Sequence, residues 1–265
     1  MKKTLIYPIL VLVLTILIYF NITTVKRLWF SVFKKTGIIA DFNAQDKING
    51  DAFAYSDGIL TAKSEWKNGQ QDGESVEYYP TGQIKARSIY KNDKVIGTQY
   101  HYYENGGIYY TSTVREKDKS EVIYNYSKAG RLAIYDISDV AGTFFHIEYG
   151  NNGNINRLIG SVVSPNMYFF DNRDTLIVLK EKQHYIDIKD LFLTYASPPQ
   201  SQTQINLIVN NNLIKDFSMS DNTIRAENAF KQKGTYSIRV IGSLSDSTTK
   251  KIMKIDTLDM VVFKD

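Results

Sequence analysis

Three histidines have the side chains best suited to bind a metal ion or to transfer protons near neutral pH. They are His101, His146 and His184, and they stand 45 and 38 residues apart. None of them belongs to an H-x-x-x-H or H-E-x-x-H motif, in which one helix face presents two zinc ligands. The sequence therefore predicts solvated histidines on strands and no metal site.

No other pattern of catalytic residues is present. The chain contains no G-x-S-x-G motif, no phosphate loop and no dinucleotide-binding glycine pattern, and the acidic run at 171–174 is typical of a turn. The absence of cysteine from the sequence excludes disulfides, thiolate catalysis, cysteine–metal sites and a lipidated cysteine. We therefore expect a protein that is not an enzyme and needs no cofactor.

Tyrosine is the residue type that suggests binding, since the chain contains 19 of them. Tyr55, Tyr79 and Tyr103 each stand three positions before a glycine, and strand alternation predicts that they point outward. A row of outward tyrosines can stack on sugar rings or anchor a protein partner. The alternative is that they cover hairpin tips or pack on the next repeat. The net charge of +4 is spread without a basic stripe, which argues against nucleic-acid binding.

These tyrosines belong to a sequence repeat in which a glycine recurs at a nearly constant spacing. The marker glycines are spaced by 24, 24, 24 and 23 residues, and they are Gly58, Gly82, Gly106, Gly130 and Gly153. A fixed period of this length is typical of stacked repeats. Apolar and aromatic residues occupy alternate positions on both sides of each glycine, which is the period of a β-strand. Residues 53–160 are therefore predicted to form five β-hairpins, each with one buried and one wet face.

The repeat unit resembles a known family. It reads Y-x-x-x-G-x-[IL], followed by [WY]-x-N-x-x-x-x-G, as at 78–84 and 90–97. This pattern is similar to MORN-type repeats, and in particular to the variant in bacterial proteins named YwqK-type antitoxins. The resemblance covers residues 50–160 and is closest in the first three repeats. It implies a β-hairpin array used as a scaffold or for interactions, and the antitoxin name implies a toxin as partner.

The N-terminus predicts a membrane anchor. After Lys2 and Lys3, residues 5–20 contain only one polar side chain, and the weakly polar residues 21–25 extend the run. At about 1.5 Å per residue, residues 5–25 span roughly 30 Å, the thickness of a bilayer core. The alternative, a cleaved signal peptide, needs small residues that the end of the run lacks. Residues 25–35 mix aromatic and cationic side chains, which favours an interfacial collar or the end of the anchor helix.

The direction of insertion is less sharply determined by the sequence, because cations stand on both sides of the apolar run. A two-lysine head directly before the run favours a short cytoplasmic N-terminus, a single pass and an extracytoplasmic body. The cations after the run favour the opposite arrangement, with the body in the cytoplasm.

The rest of the chain divides into a connector and a second domain. Residues 36–52 show no strong period and are interpreted as a connector. Turn-like residues between 161 and 174 predict a domain boundary, and residues 172–265 contain seven short strand candidates. The Gly234-Thr235-Tyr236 sequence before a strand is similar to one strand of immunoglobulin-like domains, so an immunoglobulin-like β-sandwich is predicted there.

Together these features predict an all-β protein with an N-terminal transmembrane helix and interfacial collar within 1–35, a hairpin array at 53–160 and an immunoglobulin-like β-sandwich at 172–265. The leading hypothesis for its function is a membrane-anchored, non-enzymatic scaffold or interaction protein of the bacterial envelope, with a protein partner. The alternatives are a cytoplasm-facing, antitoxin-like protein that binds a toxin, and a carbohydrate-binding module.

Overall fold

The described part of the protein is all-β, which confirms this part of the predicted fold class. The computed structural model describes residues 15, 27, 35–115, 119–170, 176–186 and 188–265. Of these described residues, 66% lie in strands and 1% in helices. Apart from Thr15, the predicted anchor at 5–25 lies outside the described residues. Among those that are described, no helix has the length and apolar character needed to cross a membrane.

The first sheet holds eleven strands in sequence order. They are β1 (Gly37–Phe42), β2 (Ile48–Ser56), β3 (Ile59–Lys67), β4 (Gln70–Tyr78), β5 (Ile84–Lys91), β6 (Lys94–Tyr102), β7 (Ile108–Val114), β8 (Glu121–Tyr126), β9 (Leu132–Asp139), β10 (Gly142–Tyr149) and β11 (Ile155–Gly160). Residues 36–52, expected to be a connector, instead contain β1 and the start of β2, which pair antiparallel. The repeat pattern does not mark β1, because no marker glycine accompanies it.

Each marker glycine lies in the turn of a hairpin. The five φ angles are 82°, 88°, 83°, 74° and 81° in chain order, a left-handed conformation that glycine adopts without a Cβ clash. In the first, second, fourth and fifth hairpins the residue three positions after the glycine has no partner in the antiparallel register. These bulged residues are Thr61, Lys85, Ala133 and Asn156. The glycine spacing thus sets both the turn and a recurring β-bulge.

The chain divides into two compact units, and the division does not fall at the boundary predicted between 161 and 174. Of the described residues, the first unit holds those up to 111 and 128–130, and the second holds the others from 112 to 265. The last two hairpins belong to the second unit because Tyr135, Ile137 and Phe145 share a core cluster with Ala196 and Leu244. The predicted boundary followed the end of the repeat pattern, whereas the compact units follow the cores.

The remaining strands form two five-stranded sheets in the second unit. They are β12 (Val163–Phe170), β13 (Leu176–Val178), β14 (His184–Tyr185), β15 (Leu191–Tyr195), β16 (Ser201–Val209), β17 (Asn212–Ile214), β18 (Ser218–Ser220), β19 (Thr223–Ala226), β20 (Gly234–Asp246) and β21 (Ile252–Lys264). One sheet has the order β13-β12-β15-β19-β18, and the other has the order β14-β21-β20-β16-β17. Side chains of both sheets meet in one core cluster, for example Leu193 and Ile224 with Leu207 and Val240. The two sheets therefore form a β-sandwich.

The sandwich starts earlier than the predicted residue 172. Its strand β12 runs through Ser164, Pro165 and Asn166, which the sequence favours as a turn. The pairing of β12 with β15 is irregular between Val163 and Met167, so the proline occupies a position where it need not donate to the ladder.

Candidate functional site

The first predicted binding tyrosine, Tyr55, does not point into solvent. It is only 8% exposed and lies in a small core cluster with Ile39 and Phe53. Its hydroxyl accepts a hydrogen bond from Nε of Arg27 at 3.1 Å. The Arg27 guanidinium also lies 4.0 Å from the centre of the Phe53 ring. The side chains alternate as predicted. However, Arg27 of the predicted collar covers the face of the sheet that carries Tyr55 and was expected to be exposed to solvent.

Tyr79 and Tyr103 are half-buried and follow directly after β4 and β6. The Tyr79 hydroxyl donates to the backbone carbonyl of Tyr102 in the next hairpin at 2.7 Å. Of the two interpretations that the sequence allowed, packing on the next repeat therefore describes Tyr79. The ring of Tyr103 instead lies 5.0 Å from that of Tyr109, between ring centres.

Tyr103 belongs to a group of four rings, His101, Tyr103, Tyr109 and Tyr110, which we call the aromatic string. The rings of His101 and Tyr110 are stacked, with centres 4.0 Å apart and planes 11° apart. Tyr110 meets Tyr109 edge to face at 5.3 Å, and Tyr109 meets Tyr103 at 5.0 Å. Tyr109 is 45% exposed. The β6–β7 hairpin thus carries a chain of ring contacts in which Tyr109 is exposed to solvent.

The sequence contains a signal for this surface that the repeat reasoning missed. Tyr109 stands three positions after Gly106, where the other four hairpins carry their bulged residues. At that position the other repeats have Thr61, Lys85, Ala133 and Asn156, so an aromatic side chain is the exception. Comparing this column would have identified Tyr109, because only this repeat has an aromatic side chain there.

The aromatic string is electrically neutral at pH 7. Burial lowers the pKa of His101, Lys85 lowers it further, and Glu77 opposes the change. The imidazole is therefore uncharged near neutrality and stacks on Tyr110 as an aromatic ring. Such a surface can bury apolar area and accept edge-on contacts, but it supplies no charge for catalysis.

A second cluster surrounds His146 on β10. Its Nδ1 lies 2.6 Å from Oδ1 of Asp136, its Nε2 lies 3.2 Å from Oε1 of Glu148, and Arg157 reaches the same Glu148 oxygen at 3.2 Å. Burial alone would lower the pKa of His146, but the hydrogen bonds to the two carboxylates outweigh it and raise the pKa. Both ring nitrogens are thus engaged by carboxylates, which leaves neither available as a general base.

Metal binding finds no support in the part of the chain that the structure describes. There, no group of three or more His, Cys, Asp or Glu side chains could hold a metal ion. The third histidine, His184, instead pairs with Asp265 at 2.7 Å on the surface of the sandwich.

The second unit contains an open cavity of about 990 Å³ at the edge of the sandwich, which we call the sandwich groove. It lies among β17, the start of β18 and the segment between β19 and β20. Sequence reasoning missed it, because the three-residue strands β17 and β18 give no periodic signal.

Comparison with known proteins does not assign this chain to a family. No family model and no curated protein matches the chain. Among solved structures the chain is similar to a crystal structure of TcdB2-TccC3-TEV, with 11% identity and a TM-score of 0.19. The match covers 84% of this chain and 13% of that one. A TM-score of this size carries no argument about fold or function, and the resemblance to MORN-type repeats stays a prediction.

Proposed function

We propose that this chain is a non-enzymatic interaction protein that binds a protein partner through its repeat sheet. The observation that carries the proposal is Tyr109, which is 45% exposed while its ring is held between Tyr103 and Tyr110. An exposed tyrosine that is already immobilised loses little conformational entropy on binding. Tyrosines of this kind are typical anchors at the centres of protein interfaces.

The chemistry of the surface favours a partner that buries apolar and aromatic area. The aromatic string is uncharged, and its flat rings provide contact area at a low entropic cost. The Tyr55 hydroxyl is engaged by Arg27 and the Tyr79 hydroxyl by the Tyr102 carbonyl, so the binding surface is centred on Tyr109. We place the partner's contact there.

A site-specific crosslinking experiment tests this function. A photo-crosslinking phenylalanine analogue is introduced at Tyr109, or as a matched control at Tyr100, which is 37% exposed on β6. A protein adduct should form from position 109 and not from position 100. With the identified partner, Tyr109→Ala should weaken binding by at least about tenfold and Tyr100→Ala by less than about twofold.

Two outcomes contradict the proposal. One is an equal yield of adducts from both positions, which indicates nonspecific contact. The other is a large loss of stability in Tyr109→Ala, because the string would then be part of the fold and not a binding surface. Thermal unfolding of both alanine variants distinguishes these cases.

We also infer that residues 5–25 hold the protein in the membrane, with both β units in the bacterial envelope outside the cytoplasm. The support is the apolar run and the two-lysine head of the sequence. A C-terminal reporter that is active only after export should be active. An inactive export reporter together with an active cytoplasmic one overturns this placement and favours the antitoxin-like alternative.

The immunoglobulin-like assignment of the sandwich has one specific support. The Tyr236 hydroxyl accepts from the backbone N–H of Gln232 at 2.9 Å and donates to its carbonyl at 2.7 Å. A tyrosine at the start of a strand that bonds back to the preceding backbone is a feature of such domains.

A further inference from the structure

The sandwich groove lies where the two sheets of the sandwich end on the same side. Strand β17 is last in one sheet and β18 is last in the other, and only residues 215–217 connect them. Both strands have three residues, so the chain crosses from sheet to sheet before it has closed this edge. A cavity of about 990 Å³ remains, at the upper end of the range typical of ligand sites.

The floor of the groove is apolar and partly aromatic. Val209 and Tyr236 are buried beneath it, and Ile214 and Phe217 are half-buried. The Tyr236 ring is only 8% exposed and meets the Phe230 ring edge to face at 5.0 Å, so Phe217 is the accessible aromatic ring of the floor. An aromatic ring at the bottom of an open groove favours ligands with a flat apolar face.

The rim of the groove is polar and carries side chains that both donate and accept hydrogen bonds. Six exposed side chains surround the floor, and none of them has a side-chain hydrogen bond or ion pair to the described residues. They are Lys215, Asp216, Ser218, Asn228, Lys231 and Gln232. An amide or a hydroxyl can donate and accept at once, so this rim suits a ligand whose own groups do both.

The charges of the groove are nearly balanced. Arg225 is held by Asp190 at 3.0 Å and by Glu227 at 3.5 Å, so its charge is compensated. The rim also carries one carboxylate, Asp216, and two ammonium groups, Lys215 and Lys231. The lining thus holds two carboxylates and three cations, one of which is already compensated, so a strongly charged ligand of either sign gains little net attraction. A purely apolar ligand would leave the rim unsatisfied. An added peptide strand would find only three residues of ladder on either edge, fewer than an ordinary strand pairs.

We propose that the sandwich groove binds an uncharged oligosaccharide. Sugar rings combine an apolar C–H face, which the floor accommodates, with hydroxyls that donate and accept, which the rim matches. This site is separate from the aromatic string and does not depend on the function proposed for the repeat sheet.

Calorimetric titration of the full chain tests the proposal, in a detergent without a sugar headgroup. The probes are chitotetraose, cellotetraose and maltotetraose, with tetragalacturonate and inorganic phosphate as anionic probes. At least one neutral tetrasaccharide should bind with a Kd of about 1 mM or tighter. Asn228→Ala and Gln232→Ala should each weaken it by about tenfold, a loss of about 1.4 kcal/mol. Asn206→Ala is the matched control, because this exposed amide lies on β16 outside the groove.

Three results overturn the proposal. The first is the absence of binding by all three neutral probes. The second is binding of tetragalacturonate or phosphate alone, which identifies an anion site. The third is saccharide binding that Asn228→Ala and Gln232→Ala leave unchanged, which locates the sugar elsewhere, and Tyr109→Ala then tests the repeat sheet.

Discussion

Replacing Tyr149 by phenylalanine should leave the second unit as stable as before or make it more stable. The Tyr149 ring packs against the core cluster shared by the last hairpins and the sandwich, and its hydroxyl is buried with no hydrogen-bond partner among the described residues. A buried hydroxyl without a partner costs about 1–3 kcal/mol of the free energy of unfolding. Phenylalanine removes that cost and leaves a space the size of one oxygen atom, so we expect a gain of up to about 1 kcal/mol.

Tyr135 provides the matched control. It is fully buried in the same cluster, but its hydroxyl accepts from the Ser197 backbone N–H at 3.1 Å and from the Asn222 amide at 3.4 Å. Tyr135→Phe deletes the same atom and removes the acceptor of the Ser197 N–H, while the Asn222 amide keeps its bond to the Tyr195 carbonyl at 3.1 Å. It should therefore cost about 1–2 kcal/mol. The two variants should therefore differ in sign, although their chemistry is identical.

Urea unfolding followed by circular dichroism measures both effects, as shifts in the midpoint at constant slope. A loss of more than about 1 kcal/mol in Tyr149→Phe would refute the reasoning, because the hydroxyl would then have a bonding partner such as an ordered water.

Alkaline pH adds a second readout. Burial raises the pKa of Tyr149 from its ordinary value of 10 to about 12. The unfolded chain loses this proton at a lower pH than the folded chain does. The contribution of Tyr149 to the free energy of unfolding is therefore fully present below pH 10 and is lost as the pH rises from 10 to about 12. Tyr149→Phe should reduce that alkaline loss.

Four further substitutions test two glycines and two charged groups. Gly82→Ala should cost about 1 kcal/mol of the free energy of unfolding, because the φ of Gly82 is 88° although no atom crowds an added Cβ. Gly160→Ala should cost more, because its Cβ would also clash with the Phe144 carbonyl. Calorimetry measures both losses, and equal losses would contradict this reasoning. Burial alone would raise the pKa of Asp139, but hydrogen bonds from neighbouring hydroxyl and amide groups lower it. Asp139→Asn should therefore destabilise by about 1–3 kcal/mol at pH 7, and the difference from wild type should shrink as the pH falls below 3.8; a difference independent of pH would count against it. His146→Gln should lose stability below pH 6.5, where the raised pKa keeps the imidazolium paired, and approach wild type as the pH rises through that pKa, which urea titrations at pH 5 and pH 9 would measure.

The hairpin array was predictable because its information is local. A glycine at a fixed interval marks each turn, and the φ angles of Gly58 through Gly153 show that every marker has the same conformational role. Strand β1 was missed because it carries no marker, and β12 because Ser164-Pro165-Asn166 favours a turn when considered alone. Both strands depend on partners that are distant in the sequence or irregular in register.

The candidate sites were less predictable than the strands. Alternation correctly separates Tyr55 from its neighbour Ala54, but it does not show that Arg27 covers the second face of the sheet. The aromatic string depends on ring contacts between the two strands of one hairpin, and the sandwich groove depends on an edge left open by two very short strands. Each of these results from packing between segments, which periodicity in one segment does not encode.

The core shared by β8–β10 and the sandwich has a consequence for how this protein can be divided. A fragment that ends with the last repeat at residue 160 would expose Tyr135, Ile137 and Phe145 to water, since Ala196 and Leu244 would be absent. Such a fragment should aggregate, whereas a fragment that begins at Ser112 keeps that cluster whole. In a gene fusion or a natural rearrangement, the last two hairpins and the sandwich must therefore be transferred together as one segment of the gene.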